Sequence, residues 1–291
     1  MKPKYISTAK FDHDEWLEFR RQGIGGSDVA AILGMSPWRS PYSVWAEKTG
    51  RLSIEDAGNE FTHWGTIMEP ILAKEFEAVT GKKVYRQNKT FYRPDHGFLR
   101  ANIDRDVVGE PGFLEIKTAM EYKSSEWDGD SIPVPYQLQV QHYMYVLDRP
   151  YVYVAYLIGG HHFSWKRVER DQGSIDTFES LLIDWWNKHV VHDEEPDVDG
   201  DAATTAALKS LYPDEDGEVI ELGHDINQLL RNRDELSISV KSSTASIDAI
   251  SNRIRQEMKS SSAAETEDFK ITNHANKRGT RVLRITKKKE D

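Results

Sequence analysis

The longest unbroken apolar run in this chain is YVYVAYLI, residues 151–158. It is one strand long, far short of the ~20 residues that cross a bilayer. No membrane span is expected. A chain whose strongest apolar signal is a single strand must build its interior by layering many short elements. With 291 residues it can bury a substantial core without staples. Eight tryptophans and ten phenylalanines supply bulk for that core, even though 30% of the residues are charged. Cysteine is absent, which excludes disulfides, thiolate-zinc sites and a catalytic thiol. The start, MKPKYISTAKFDHDEW, has no apolar h-region, so no secretory signal is expected.

Local patterns give the order of elements. Asp12 three residues before Glu15 is a capping-box pattern and opens a short helix over 12–22, with Trp16 and Phe19 on one face. In GIGGSDVAAILG (23–34), Ser27 is the expected N-cap and Gly34 the stop. Ser40-Pro41 starts a third helix that ends near Gly50. Residues 60–80 carry a longer helical pattern. Pro70 lies inside it, so the helix either starts near Gly65–Thr66 or kinks. Strands follow at 82–93, 98–108 and 112–119, then a helix near 135–147, strands at 151–158 and 162–170, and a helix over 171–192 that carries Trp185 and Trp186 into the core. Trp38 and Trp64 are also expected to be buried. His161-His162 has no third nitrogen or sulfur ligand at suitable spacing and reads as a strand end. The fold class is mixed α/β, a central sheet flanked by helices. The first domain is expected over 1–198 and an acidic linker over 199–221. A C-terminal module over 222–291 combines a polar helical segment, with apolar residues at spacings of four and seven, and a β-hairpin.

The sharpest chemical feature lies between 104 and 117. Asp104 ends one expected strand, and Glu115-Ile116-Lys117 sits on the next. Side chains alternate along a strand, so Glu115 and Lys117 share a face. Pairing of the two strands through the turn near Gly109–Gly112 brings Asp104 beside Glu115. Two carboxylates, a backbone carbonyl and waters make the hard oxygen-only site that Mg²⁺ prefers. Such an ion polarises a phosphodiester and acidifies water. A lysine beside it can orient or deprotonate that water and offset developing charge. An E-x-K triplet on a strand ordinarily makes an exposed ion pair worth about 0–1 kcal/mol. Here Phe113, Leu114 and Ile116 set the charges among apolar positions, where unpaired charge is costly, and that favours a functional reason.

These segments resemble a known family. FRRQGIGGSDVAAILG (19–34), HWGTIMEPILAKEFEAVTG (63–81), FLRANIDRDV (98–107), FLEIKTA (113–119) and YQLQVQHYMYV (136–146) occur in the order found in PD-(D/E)XK nucleases. Within that superfamily the chain is similar to the lambda-exonuclease and YqaJ-type viral recombinases over about its first 190 residues. The resemblance implies a restriction-endonuclease-like core. It implies Asp104, Glu115 and the carbonyl of Ile116 as metal ligands, with Glu69 holding a second metal or its waters. Lys117 would activate the attacking water. Gln139, which opens a Q-x-x-x-Y pattern ending at Tyr143, would orient water or phosphate; Tyr143 itself reads as packing.

Arg20 and Ser27 match positions of a 5′-phosphate pocket in relatives, with Asn102 where some of them carry serine. Independently, glycines before a helix let the backbone approach an anion, and the helix N–H groups attract it. A simple glycine-serine cap with an exposed arginine is the alternative.

The implied activity is Mg²⁺-dependent 5′-3′ digestion of linear duplex DNA, with Mn²⁺ as a substitute ion. It would give 5′-mononucleotides and a 3′ tail for a single-strand annealing protein. A homo-oligomer such as the trimer of relatives, and a bacterial cytoplasm entered by way of phage or prophage, belong to the same expectation. An endonuclease using the same site and a non-catalytic DNA-binding or scaffold protein remain the alternatives. A net charge of −10 argues against indiscriminate nucleic-acid coating and leaves room for a local basic groove.

Overall fold

The computed structural model describes residues 2–52 and 60–288. The chain forms two units, Met1–Glu215 and Asp216–Asp291. In chain order the first unit runs β1 (Lys4–Ser7), α1 (His13–Arg21), α2 (Gly26–Ile32), α3 (Pro41–Lys48), α4 (Glu60–Thr80), β2 (Val84–Tyr85), β3 (Lys89–Tyr92), β4 (Arg100–Ala101), β5 (Arg105–Val107) and β6 (Phe113–Ala119). A 3-10 segment (Glu121–Trp127), α5 (Val134–Leu147), β7 (Tyr151–Ile158), β8 (His162–Glu169), α6 (Gln172–Trp185) with a π-helical extension, and α7 (Ala202–Leu211) complete it.

The apolar run becomes β7, buried along its whole length. It is an inner strand of a five-stranded sheet ordered β2-β5-β6-β7-β8. Only β6 and β7 are parallel, joined by the crossover helix α5; the other pairs are antiparallel. Both faces are covered, which is why β7 reads as continuous hydrophobics rather than an alternation. On one face Leu72, Ala73 and Phe76 of α4 pack on Leu114, Ile116, Tyr153 and Ala155. On the other, α5 packs with Phe113, Val152, Val154 and Tyr156, backed by residues of α2, α3 and α6. Each such side chain contributes about 1.5–3 kcal/mol on burial. Nine consecutive residues of α5, Gln139 to Leu147, are buried, so this helix has no solvent face. Its polar residues therefore need internal partners. Gln141 donates to the Glu169 carbonyl and accepts from the Asp171 N–H, both at 2.8 Å.

Several local expectations change. Residues 82–93 do not make one strand. β2 joins the five-stranded sheet, whereas β3 pairs with β1 and β4 in a separate three-stranded sheet. Residues 98–108 divide between the same two sheets as β4 and β5. The α4 helix runs unbroken from Glu60 to Thr80 with Pro70 inside it. Trp38 and Trp64, expected to be buried, are 55% and 56% exposed. Burial on α4 begins only at Leu72, so its first turns project beyond the sheet. Trp185 and Trp186 are buried. Within the acidic stretch read as a linker, the alanine-rich residues after Asp201 form α7, an outcome of high helix propensity.

The second unit holds α8 (His224–Met258), 35 residues long, and a sheet of β9 (Ala263–Glu265), β10 (Phe269–Ala275) and β11 (Arg281–Lys287) in the order β11-β10-β9. The hairpin of β10 and β11 falls in the expected stretch, and β9 forms partly inside the expected loop. Leu229, Leu236, Val240, Ile247 and Ile250 of α8 are each more than 60% exposed.

His142 on α5 ties the sheets together through Nε2, 3.0 Å from the Arg100 carbonyl. Burial pushes its imidazole down to about 4. Unfolded, the group titrates near 6.5, so between those values only the unfolded chain is protonated, and stability falls as pH drops from 6.5 toward 4. Urea unfolding at pH 7 and pH 5 should show the wild type losing about 2 kcal/mol more than His142→Gln over that interval. Equal losses in the two proteins would show that His142 is not the titrating group.

Candidate active site

The antiparallel register of β5 and β6 pairs Arg105 with Leu114. One residue further along, it sets Asp104 opposite Glu115. Asp104 Oδ2 accepts the Ile116 N–H at 2.7 Å, fixing the carboxylate against β6. Alternation along β6 turns Glu115 and Lys117 toward α5, while Leu114 and Ile116 face α4. There Gln139 meets both: Lys117 Nζ donates to Glu115 Oε1 (2.7 Å) and to Gln139 Oε1 (3.0 Å), and Gln139 Nε2 donates to Glu115 Oε1 (2.7 Å). Gln139 Nε2 also reaches the Tyr143 hydroxyl at 3.3 Å. Tyr143 is otherwise a packing residue, its ring against Phe113.

The electrostatics are tense. Burial and the nearby charge of Glu115 push the Asp104 carboxyl well above the usual range, with Glu69 adding to the effect and Lys117 opposing it. Glu115 is also raised, chiefly by burial, against the pull of Lys117. Burial acts to lower the Lys117 amine, but Glu115 and Asp104 outweigh it and hold the amine above its ordinary value, so it is an ammonium donor. Glu115 Oε2 is buried with no hydrogen-bond partner. A buried acceptor without a donor costs about 1–3 kcal/mol, more for a charged group.

Glu69 lies in the same groove as Asp104, Ile116 and Lys117. Its carboxylate is held by the Arg105 guanidinium, which also donates to the Asp104 carbonyl at 2.6 Å. Among the described residues no three acidic or histidine side chains close on a single ion position. The structure brings Asp104, Glu115, Lys117 and Gln139 together and sets Glu69 to one side.

A second cavity, of about 190 Å³, is lined by Arg20, Ser27 and Asn102 together. Asn102 also lines a smaller hollow shared with Glu69 and Asp104, which links this cavity to the carboxylate groove. The Thr90 hydroxyl donates to Asn102 Oδ1, leaving the Asn102 amide donors for other partners. Ser27 is not the helix cap. Gly25 is, because the Asp28 carboxylate accepts its N–H at 2.9 Å, and Ser27 falls in the first turn. Gly26 is required for a steric reason. A Cβ there would lie 2.5 Å from Tyr143 Cε1 and 2.6 Å from Gln139 Cγ, so only glycine lets α2 rest on α5.

Sequence reading missed the support beneath this cavity. Lys48 and Asp28 form an ion pair at 2.7 Å, each side chain 3% exposed, and Arg39 also binds Asp28. Lys48 Nζ donates to the Arg20 carbonyl at 3.0 Å, which joins the end of α1 to α2. Burial works to raise the Asp28 carboxyl, yet Lys48 and Arg39 hold it well below the usual range. Lys48 ends a polar helix turn, and nothing local signals its burial; the aspartate three residues after Gly25 was the one available cue.

The first unit shares its fold with an exonuclease. The crystal structure of LHK-Exo with dAMP superposes with a TM-score of 0.50 at 18% identity, covering 69% of this chain and 96% of that one. LHK-Exo is an alkaline exonuclease from Laribacter hongkongensis. The sequence profile of the YqaJ-like viral recombinase domain matches residues 15–150. The Bacillus subtilis protein YqaJ is 38% identical over 259 residues, spanning 87% of this chain and 80% of that protein. The protein D345L of African swine fever virus is 38% identical over 99 residues, 34% of this chain and 25% of its own. The chain belongs to the YqaJ-like viral recombinase family. Among the described residues no helix is long and apolar enough to cross a membrane.

Breaking a buried ion pair by removing one partner costs about 3–5 kcal/mol, because the other charge stays buried. Asp28→Asn should destabilise the protein by that amount in urea unfolding, and adding Lys48→Met should recover part of the loss. A single variant within 1 kcal/mol of wild type would show that the pair does not hold this loop.

Proposed function

We propose that the chain is a metal-dependent deoxyribonuclease with a PD-(D/E)XK site that digests linear double-stranded DNA from its 5′ ends. The observation that carries this reading is the buried group of Asp104, Glu115, Lys117 and Gln139, with Glu115 Oε2 left without a donor. The donor set fits a hard divalent cation. Asp104, Glu115 and the Ile116 carbonyl would hold Mg²⁺, or Mn²⁺ in its place, with Glu69 close enough to bind its waters. When bound, the ion supplies Lewis-acid polarisation of the phosphodiester and acidifies water.

The chain's own residues do the rest. Lys117, held as an ammonium, orients the attacking water and offsets negative charge growing on the phosphoryl oxygens. Gln139 fixes both Lys117 and Glu115, so their relative placement does not depend on substrate. Water adds to phosphorus, the bond to the 3′ oxygen breaks, and that oxygen takes up a proton. The products are a 5′-mononucleotide and a shortened strand. The Arg20, Ser27 and Asn102 cavity supports binding of the terminal 5′-phosphate, where a guanidinium, a hydroxyl and an amide surround a helix N-terminus. The remaining 3′ single strand suits an annealing protein, in the cytoplasm of a bacterial host carrying phage-derived DNA.

The second unit is proposed as the assembly or partner module, after a nuclease domain over 1–198 and a connecting stretch over 199–221. The exposed apolar residues of α8 support homo-oligomerisation, with a trimer the form found in relatives. Light scattering on the full chain and on residues 1–215 tests this. The full chain should be oligomeric and the truncated one smaller in subunit number; an unchanged number assigns assembly elsewhere.

End-labelled linear duplex, with and without a 5′-phosphate, should be digested in Mg²⁺ and spared in EDTA. Loss of the phosphate should slow digestion. Glu115→Gln should lower the rate by at least about a thousandfold, consistent with loss of an essential site group. A covalently closed circle should survive. Cutting of the circle at a comparable rate would establish an endonuclease instead, and an unaffected Glu115→Gln would overturn the site.

A further inference from the structure

Beside the carboxylate groove lies a second pocket, of about 390 Å³, that the proposed chemistry does not use. The two share Trp38, Phe61, Thr118 and Tyr136. Its walls are aromatic and wet. Trp38 is 55% exposed, Phe61 67% and Tyr122 76%. Large flat side chains left in water beside a groove forfeit the burial that rings of this size normally supply. Clustered exposure of this kind marks a binding surface.

The rings are also oriented. Trp38 lies nearly parallel to Tyr136, 28° between planes with centroids 5.9 Å apart. Tyr136 is backed by Trp127 at 5.6 Å, and Trp127 stacks on Tyr156 of β7 at 4.3 Å. The outer rings are therefore braced by a column of aromatics that ends in the central sheet. Positive charge flanks them. Lys123 Nζ is 5.3 Å from the Trp38 centroid, and Lys117 Nζ is 5.0 Å from the Tyr136 centroid.

We infer that this pocket binds an unpaired nucleobase of the strand being cut, next to the scissile phosphate. The inference rests on the nuclease reading. Three features choose this occupant. The pocket accepts a flat π-system, and stacking on rings is tolerant of base identity. Lys117 touches both the pocket and the reactive carboxylates, so a phosphate held there places its neighbouring base at Tyr136. Lys123 adds attraction for the next phosphate along the strand. A base inside a duplex is already stacked and paired, so it must leave the helix to enter. The pocket thus favours a melted end over a paired one.

The test uses the full chain carrying Glu115→Gln, so that DNA stays intact, and a duplex with 2-aminopurine as its 5′-terminal base. Fluorescence reports stacking of that base, and anisotropy of a distant label reports DNA binding separately. The Glu115→Gln chain should change the 2-aminopurine signal. Adding Trp38→Ala or Tyr122→Ala should reduce the signal change at least about fivefold, near the lower end of what one base–ring stack contributes. Trp38→Phe should retain most of it. A terminal mismatch should restore part of the loss, because the base is already free. If all the chains give the same signal, or if DNA binds with no signal change in any of them, the pocket assignment is overturned. If no chain binds DNA by anisotropy, the nuclease reading falls and takes the pocket with it. Cleavage by wild type together with an unchanged 2-aminopurine signal in the alanine variants overturns the pocket alone.

Discussion

The interaction on which the architecture turns is a charged triad inside a hydrophobic sandwich. Glu115 is 3% exposed, on a strand whose other residues face apolar helices on both sides. Taking such a carboxylate out of water is costly unless charge and hydrogen bonds compensate. Lys117 and Gln139 do so for one oxygen, and nothing does so for the other. The sheet and α5 are thus arranged to present a partly satisfied anion. A fold built for stability alone gains nothing from that arrangement, since an apolar residue of similar volume is often as good.

Much of this was legible in the sequence because it depends on local periodicity. The two-residue alternation of FLEIKTA puts Glu115 and Lys117 on one face whatever else surrounds them, and the short turn before it dictates the pairing with Asp104. The first three helices could be read from their polar and proline signals near their starts, and the five matching segments ordered the rest. What was not legible depends on where elements end up in space. The fate of Trp38 and Trp64 was misread because aromatic bulk predicts burial, whereas their positions lie outside the sheet. The division of residues 82–108 between two sheets was invisible because each half is a good strand in isolation. Lys48 lies twenty residues from Asp28, and no pattern marks a lysine for burial.

Two cavities and one groove then lie in series around the end of β6. One is polar and backed by a buried ion pair; the other is aromatic and backed by a stack. Between them sit the carboxylates. The difference in lining matters physically. A phosphate is recognised by directed donors and charge, which tolerate little displacement. A base is recognised by its faces, which tolerate considerable sliding. The end of the strand is thereby held more rigidly than the base that follows it.

Gly26 connects these parts more directly than any side chain. Its backbone rests against Gln139 and Tyr143, so the loop forming the polar cavity and the helix carrying the glutamine cannot move apart or together without a clash. The separation between a terminal phosphate held at one end and the bond exposed at the other is therefore a property of the backbone. It acts as a ruler. Product length is then set by the span of chain that fits between two fixed points, and not by how fast the enzyme travels or how tightly it holds the duplex.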